Sequence, residues 1–222
     1  MIIVKIVITG TTGVGKSTTV KGLDDYFLKK NKKVKPSKEL VVDSPFFDLY
    51  FEDLKEWGFL SQLDFLLTRF RQYVNNEISQ KKDKSKKDII YLFDRHFLED
   101  KIFAELKIIK ESISAKNSDM YLYVYNQILE RLDEDFTKID YIILLKANFE
   151  EIINRMRKRG REIEEKFSRE YWFDLYNGYY NNEENLNLFR KYSKHLLIID
   201  TTNLNPDEVL KTIIEKIKSN KG

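Results

Sequence analysis

The chain has 222 residues and no cysteine, and its 39 basic and 36 acidic side chains leave a net charge of +3. This length suits one α/β domain with a large buried core. The absence of cysteine excludes a disulfide framework, a thiolate metal site and a thiol nucleophile, and it fits a protein of a reducing compartment. The mixed charge argues against nucleic acid as a partner, since a binding face for it would be strongly basic.

An apolar run over residues 2–8 could be mistaken for a signal sequence. It is too short to span a membrane, contains Lys5 and leads directly into a glycine-rich turn, so we interpret residues 2–9 as a buried strand. No other stretch approaches the length of a membrane span. We therefore expect a soluble, cytoplasmic protein without a membrane segment.

A phosphate-binding loop follows this strand. The pattern of glycines ending in Lys-Ser fits a Walker A motif, and a predicted helix begins there. The candidate phosphate ligands are Gly10, Thr12, Gly13, Val14, Gly15, Lys16, Ser17 and Thr18. Backbone N–H groups and the helix N-terminus would bind the phosphates, Lys16 would neutralise them, and Ser17 would bind Mg²⁺. The motif alone predicts binding of a nucleoside triphosphate with Mg²⁺. Asn31-Lys32 lacks the Asp of a guanine motif, which argues against a GTPase, and we expect ATP as the phosphate donor.

The second strand is weaker, at residues 34–42, and Glu39 lies near its end. A carboxylate at this edge could accept the proton of an attacking hydroxyl, as general-base catalysis requires. Taken alone, Glu39 could equally be a surface residue.

A long apolar helix is predicted over residues 45–80. Gln62 and Arg69 are seven residues apart and so share a face, where both need polar partners; Asp100 is a candidate partner for Arg69. A structural ion pair is the alternative. The many aromatic residues of this helix exceed what one core needs, which indicates a homodimer interface.

Asp94 and Arg95 end the strand at residues 89–93, at the edge of an α/β sheet where ligands bind. Asp94 could hold Mg²⁺ through a water molecule, and a helix-capping Asp beside a surface Arg is the alternative.

A cluster of arginines lies further along the chain, where Arg155, Arg159 and Arg161 surround Gly160. Guanidinium groups suit the charge of phosphoryl transfer, so residues 155–166 are predicted to form a lid over ATP. A solvated basic helix end is the alternative.

Further buried strands are predicted at residues 141–145 and 195–199, with helices between all the strands. Alternating strands and helices predict an α/β P-loop kinase fold, with a parallel five-stranded sheet flanked by helices, as a single domain over residues 1–222.

Together these residues resemble the deoxynucleoside kinase family. The resemblance rests on the P-loop, residues 38–47, Gln62 with Arg69, residues 93–95, Asp100, and residues 158–161 followed by Glu164. It implies that Glu39 is the general base and that Arg95 positions the 5′-hydroxyl. It also implies that Gln62, Arg69 and Asp100 read the base, and that residues 200–204 lie beside the adenine of ATP.

The chain departs from the family at two positions. Leu40 follows Glu39 where the family has proline, and Phe51 stands where the family has a tyrosine. Phe51 cannot bind the sugar 3′-hydroxyl, so either Tyr50 or Glu164 would do so.

The resulting hypothesis is an ATP- and Mg²⁺-dependent deoxynucleoside 5′-kinase of nucleotide salvage. Deoxyadenosine is favoured, with deoxycytidine and deoxyguanosine as alternatives. The competing hypotheses are a thymidylate-type monophosphate kinase, although the Arg-Glu-Pro-Gly-Gly signature is missing, and a regulatory nucleotide-binding protein without acceptor phosphorylation.

Overall fold

The computed structural model describes residues 3–37, 44–82, 88–110, 112–135 and 139–220. Its strands are β1 (Ile3–Thr9), β2 (Lys33–Ser37), β3 (Ile89–Asp94), β4 (Ile139–Lys146) and β5 (Ser193–Asp200). The first five helices are α1 (Lys16–Lys29), α2 (Phe47–Glu52), α3 (Leu54–Lys82), α4 (Asp100–Ile109) and α5 (Ala115–Asp135). The others are α6 (Phe149–Arg159), α7 (Glu162–Glu165), α8 (Arg169–Tyr180), α9 (Glu183–Tyr192) and α10 (Pro206–Ser219).

The five strands form one parallel sheet in the order β2-β3-β1-β4-β5, which confirms the predicted α/β fold. β1 is central, and its Ile6 lies opposite Leu92 of β3 and Tyr141 of β4. Every residue of β3 is buried. Continuous apolar strands are expected here because helices cover both faces of a parallel sheet.

The helix predicted over residues 45–80 is divided by a polar cap. Asp53 has an extended backbone, and its carboxylate accepts hydrogen bonds from the N–H groups of Lys55 and Glu56, so α3 begins afresh after α2. Asn182 caps α9 in the same manner, which separates it from α8. Such side chains satisfy the free N–H groups of a first helical turn.

The described aromatic side chains of α2 and α3 are at least half-buried. Tyr73 is 2% exposed, and the other described aromatic side chains between residues 46 and 73 are buried or half-buried. A dimer interface formed by these rings stays a prediction. The exposed apolar residues of α3 are aliphatic: Leu60, Leu67 and Ile78.

The helices α3, α4, α5 and α8 pack together through α3–α4, α3–α5, α4–α5 and α4–α8 contacts, and α1 packs against α10, β2 and β3. Within the described ranges, no helix has the length and apolar character that crossing a membrane requires.

Candidate active site

The candidate site lies at the carboxyl edge of the sheet. β1 ends at Thr9 directly before the glycine-rich loop, and β3 ends at Asp94. Ligands of open α/β sheets bind at this edge because loops and helix N-termini converge there.

The glycine-rich loop depends on positive φ angles that only glycine adopts readily. Gly10, Gly13 and Gly15 have φ values of 135°, 83° and 102°. A Cβ atom at Gly13 would come within 2.7 Å of the Met156 side chain, so α6 packs closely on the loop. Gly15 precedes α1 and offers no side-chain cap, and the first turn of α1 contains no acidic residue. The loop therefore leaves a helix N-terminus suited to an anion.

Lys16, Ser17 and Asp94 converge beside this loop. Lys16 is 7% exposed and its ammonium donates a hydrogen bond to the Thr11 carbonyl at 2.9 Å. The Ser17 hydroxyl donates to Asp94 Oδ2 at 2.6 Å. The other oxygen, Asp94 Oδ1, is buried and has no hydrogen-bond partner among the described residues.

A hydroxyl and a carboxylate with a free oxygen are the hard donors that Mg²⁺ prefers, so Ser17 and Asp94 fit this ion. In the described part of the chain, no group of three or more His, Cys, Asp or Glu residues could hold a metal. Mg²⁺ at this position would thus need phosphate oxygens and water for its remaining ligands, as is usual in nucleotide sites.

Arg95 follows β3 in a left-handed conformation with φ 72°. Its guanidinium donates hydrogen bonds to Glu99 Oε1 and the Tyr179 hydroxyl, both at 2.9 Å, and lies 3.4 Å from the Gly10 carbonyl. A non-glycine residue holds this conformation only where its surroundings impose it, and these contacts do so. Arg95 is thereby fixed between the phosphate loop and α8.

Sequence reasoning missed Glu99. This residue is fully buried and accepts hydrogen bonds from Arg95 and from the Thr9 hydroxyl, so it links the end of β1 to Arg95. The signal in the sequence was its position four residues after Arg95, a spacing that allows an ion pair.

A cavity of about 370 Å³ extends from the phosphate loop to α3 and α4. Its polar lining includes Thr12, Lys16, Ser17, Thr18, Gln62, Arg69, Arg95, Asp100, Lys107, Arg159, Arg161 and Glu164. Its aromatic lining consists of Phe47, Tyr50, Phe65, Phe103, Phe167, Tyr171 and Trp172. Aromatic walls with a few convergent polar groups are typical of small-molecule sites.

Gln62, Arg69 and Asp100 meet at the far end of this cavity. Arg69 and Asp100 form an ion pair, and their side chains are 7% and 0% exposed. Gln62 Nε2 donates to the Asp100 backbone carbonyl at 3.0 Å, while Gln62 Oε1 is buried without a partner in the described chain. The structure thus forms the predicted Arg69–Asp100 pair and adds an acceptor atom that is free for a ligand.

Lys107 enters the same end of the cavity from α4, and sequence reasoning missed it. It is 3% exposed, and its ammonium lies 4.0 Å from the centre of the Tyr50 ring and 3.5 Å from Ser61 Oγ. Burial lowers the pKa of Lys107 to about 7, an effect that Asp100 opposes and Arg69 reinforces. Its position seven residues after Asp100, two helical turns along an apolar helix, was the available signal.

Tyr50 and Glu164 both line this cavity, so the alternatives for the sugar contact both remain open. The Tyr50 hydroxyl is hydrogen-bonded to Tyr171, and burial raises the pKa of Tyr171 to about 12. Glu164 is buried and forms an ion pair with Arg159, whereas its Oε2 atom has no hydrogen-bond partner within the described ranges. Glu39 lies outside the described residues, as does the side chain of Phe51.

A second cavity of about 400 Å³ lies on the other side of the phosphate loop. Thr201 and Leu204, from the predicted adenine-binding segment, line it together with Val14, Arg155 and Arg159. Arg155 donates to the Thr201 carbonyl at 2.7 Å and pairs with Glu151.

The three predicted lid arginines therefore occupy different surroundings. Arg155 is bound to the loop after β5, Arg159 borders both cavities, and Arg161 has a 62% exposed side chain at the first cavity. α6 ends at Gly160, whose φ is 63°, and the short helix α7 follows. Closure of residues 155–166 as a lid stays a prediction.

Comparison with known proteins is consistent with this arrangement. A family described as deoxynucleoside kinase matches residues 6–220. The chain is 30% identical to a deoxyadenosine/deoxycytidine kinase of Bacillus subtilis over 96% of this chain and 91% of that one. It is 29% identical to a deoxyguanosine kinase of the same organism, over 78% of this chain and 75% of that protein.

Among solved structures, a deoxyadenosine kinase from M. mycoides with bound dCTP has a TM-score of 0.75 and 28% identity. The match covers 97% of this chain and 99% of that one. The same M. mycoides kinase with bound dATP has a TM-score of 0.74, again at 28% identity, over 96% of this chain and 99% of that one.

Proposed function

Because this chain belongs to the deoxynucleoside kinase family, we propose that it transfers the γ-phosphate of ATP to the 5′-hydroxyl of a deoxynucleoside. Family membership makes it an enzyme, a transferase that phosphorylates a hydroxyl group. The observation that carries the proposal is the 370 Å³ cavity, which joins the phosphate loop to the Gln62, Arg69 and Asp100 side chains. One end suits a triphosphate and the other suits a polar heterocycle.

ATP is proposed to bind with its phosphates on the loop at residues 10–18 and its adenine in the second cavity, beside Thr201 and Leu204. Lys16 would neutralise the β- and γ-phosphate oxygens, with Arg155, Arg159 and Arg161 as further cations at the site. Ser17 would bind Mg²⁺, and Asp94 would hold the ion or its water. Mg²⁺ supplies charge neutralisation and orientation of the phosphates when it is bound there.

The acceptor would place its 5′-carbon between Arg95 and the phosphate loop. Ser37, the last residue of β2, lies opposite Phe93, so β2 ends at the edge of the sheet that carries Asp94 and Arg95. We assign the general base to Glu39, two residues beyond Ser37, because a base must reach the hydroxyl that attacks. Arg95 would hold this hydroxyl, and Tyr50 or Glu164 would bind the 3′-hydroxyl.

Catalysis would depend on in-line attack by the activated 5′-oxygen on the γ-phosphorus. Positioning of the two substrates and neutralisation of the equatorial oxygens would supply most of the rate enhancement. The product is a 5′-monophosphate, which fits a role in nucleotide salvage.

We assign deoxyadenosine as the favoured acceptor, with deoxycytidine or deoxyguanosine as alternatives. Asp100 and Gln62 Oε1 both accept hydrogen bonds, and an exocyclic amino group supplies donors to them. Arg69, held by Asp100, would donate to a ring nitrogen and crowd the methyl group of thymine.

A homodimer is proposed through the aliphatic face of α3. Leu60, Leu67 and Ile78 are 40%, 44% and 44% exposed, and Met120 and Tyr123 of the adjacent α5 are 58% and 67% exposed. Exposed apolar side chains on two helices that pack together are typical of an interaction surface. Sedimentation of the wild type against Leu60→Glu/Leu67→Glu would test it, since the charged variant should be a monomer.

The test of function is an acceptor panel with ATP and Mg²⁺ that covers the four deoxynucleosides, their ribo counterparts and the deoxynucleoside monophosphates. We expect ADP release that depends on a deoxynucleoside, and a 5′-monophosphate as product. Phosphorylation of monophosphates alone would support a thymidylate-type kinase instead. ADP release that no acceptor increases would support a regulatory ATPase.

A further inference from the structure

Lys107 is a buried lysine that the proposed reaction has not used. Its ammonium lies in the acceptor cavity, above the Tyr50 ring at 4.0 Å and 5.4 Å from the centre of the Phe65 ring. Its one side-chain hydrogen bond, to Ser61 Oγ, is long at 3.5 Å. Within the described residues, it forms no ion pair.

Burying an amino group at this position is costly. Leu106 and Ile108 flank it on an apolar helix, and a leucine or methionine at position 107 would bury its side chain without desolvating a charge. In the described part of the chain, the Lys107 amino group contacts only the Ser61 hydroxyl, at a long distance, and the faces of the Tyr50 and Phe65 rings. It can therefore still donate a strong hydrogen bond to an acceptor that arrives with a ligand.

Gln62 supplies an acceptor to the same cavity that Lys107 lines. Its amide nitrogen is engaged with the Asp100 carbonyl, and its Oε1 atom is buried without a partner in the described chain. The lining of this cavity thus includes a lysine donor and an amide acceptor. A base with a carbonyl oxygen beside a ring N–H is complementary to both, and guanine carries O6 next to N1–H.

We infer that Lys107 is a specificity-determining residue that donates a hydrogen bond to the 6-oxo group of a purine deoxynucleoside while Gln62 Oε1 accepts from N1–H. This inference rests on the proposed kinase activity and makes deoxyguanosine a second substrate of the same site. Adenine in the same orientation would direct its amino group, which is a donor, at the Lys107 donor. Adenine must therefore bind through the acceptor atoms of Asp100 and Gln62. The two purines consequently differ in their dependence on Lys107.

The test compares Lys107→Met with the wild type on deoxyguanosine, deoxyinosine and deoxyadenosine. Deoxyinosine keeps O6 and N1–H but lacks the 2-amino group. We expect kcat/KM for both 6-oxopurines to fall roughly 10- to 100-fold relative to deoxyadenosine, as for loss of a hydrogen bond to a charged group. Lys101→Met is the matched control, because Lys101 lies on α4 outside the cavity and pairs with Glu105 and Glu184.

A merely structural role would lower activity on all three acceptors equally, and that result would overturn the inference. A wild type that phosphorylates deoxyadenosine but shows no measurable activity on deoxyguanosine would overturn it too. A wild type that phosphorylates no deoxynucleoside would instead refute the proposed function.

A ligand-side experiment keeps the inference falsifiable if Lys107→Met fails to fold. The wild type should prefer deoxyinosine over the purine deoxynucleoside with hydrogen at position 6 by roughly 10-fold or more. Equal kcat/KM for these two acceptors would contradict a hydrogen bond to O6.

Discussion

Removing one member of the Arg69–Asp100 pair should destabilise the protein far more than removing both. The two side chains are 7% and 0% exposed, so either group left alone is a buried charge without its counter-ion. Breaking such a pair costs about 3–5 kcal/mol, whereas an apolar replacement of both partners is often nearly neutral. For a chain of this size, that loss corresponds to a fall in melting temperature of roughly 6–20 °C.

The structure also predicts which single variant is worse. Asp100→Ala leaves the buried Arg69 guanidinium without its carboxylate and also removes the group that favours the charged form of Lys107. Arg69→Met leaves Asp100 with Lys107, whose charged form Asp100 favours, so a partial counter-ion remains. We expect Asp100→Ala to lose more unfolding free energy than Arg69→Met, and the double variant to lose less than Asp100→Ala alone.

The assay is urea unfolding followed by circular dichroism, without nucleotide, on the wild type, both single variants and the double variant. Arg190→Met is the matched control, because it removes an exposed ion pair with Glu183 and should cost less than about 1 kcal/mol. Single variants as stable as this control would refute the argument, as would a greater loss from Arg69→Met than from Asp100→Ala.

The double variant also tests substrate choice. If it folds, its kcat/KM for thymidine should rise relative to its kcat/KM for deoxyadenosine; an unchanged ratio would mean that the pair is structural.

Three further predictions concern single residues. Lys16→Ala should abolish transfer at saturating ATP and Mg²⁺, since it removes the charge beside the phosphates; near-normal turnover would exclude that role. Glu39→Gln should keep nucleoside binding and lower turnover roughly 10²-fold or more, the usual contribution of a general base. Unchanged turnover with weaker nucleoside binding would make Glu39 a binding residue and Asp94 the next candidate. Lys107 is neutral above about pH 7 in the folded chain but only above 10.5 in the unfolded chain. The unfolded chain therefore binds the extra proton between these values, and the unfolding free energy should rise with pH by up to about 1.4 kcal/mol per unit. Lys107→Met, compared by urea unfolding at pH 7 and 9, should reduce this rise; an identical pH dependence in both proteins would contradict it.

The strands and the phosphate loop were predictable because local sequence determines them. Strands buried on both faces need continuous apolar runs, and the turns at Gly10, Gly13 and Gly15 need residues that tolerate positive φ. The Arg69–Asp100 pair was also predictable, since a charge on an apolar helix face needs a partner.

Other features depended on contacts between distant segments. Asp53 divides a continuous helical pattern because its carboxylate caps α3. Hydrophobic periodicity reports which face of a helix is apolar, and it carries no information about such a cap. Glu99 and Lys107 resemble solvent-exposed charged residues in the sequence. They are buried only because α8 and α3 pack over them. The surplus of aromatic residues suggested a partner surface, yet Tyr50, Phe65 and their neighbours line the protein's own cavity.

The sheet order has a consequence for how such a protein can diversify. The cavity that reaches α3 and α4 lies to one side of the phosphate loop, and the cavity formed by α6, α10 and the loop after β5 lies to the other. They share little beyond the phosphate loop and Arg159. Substitutions at well-separated positions combine almost additively, so residues such as Gln62 or Lys107 could be exchanged without altering the cavity beside Thr201. A lineage could thus change what one cavity accepts while the other keeps its ligand, which makes the chain a modular starting point for engineering.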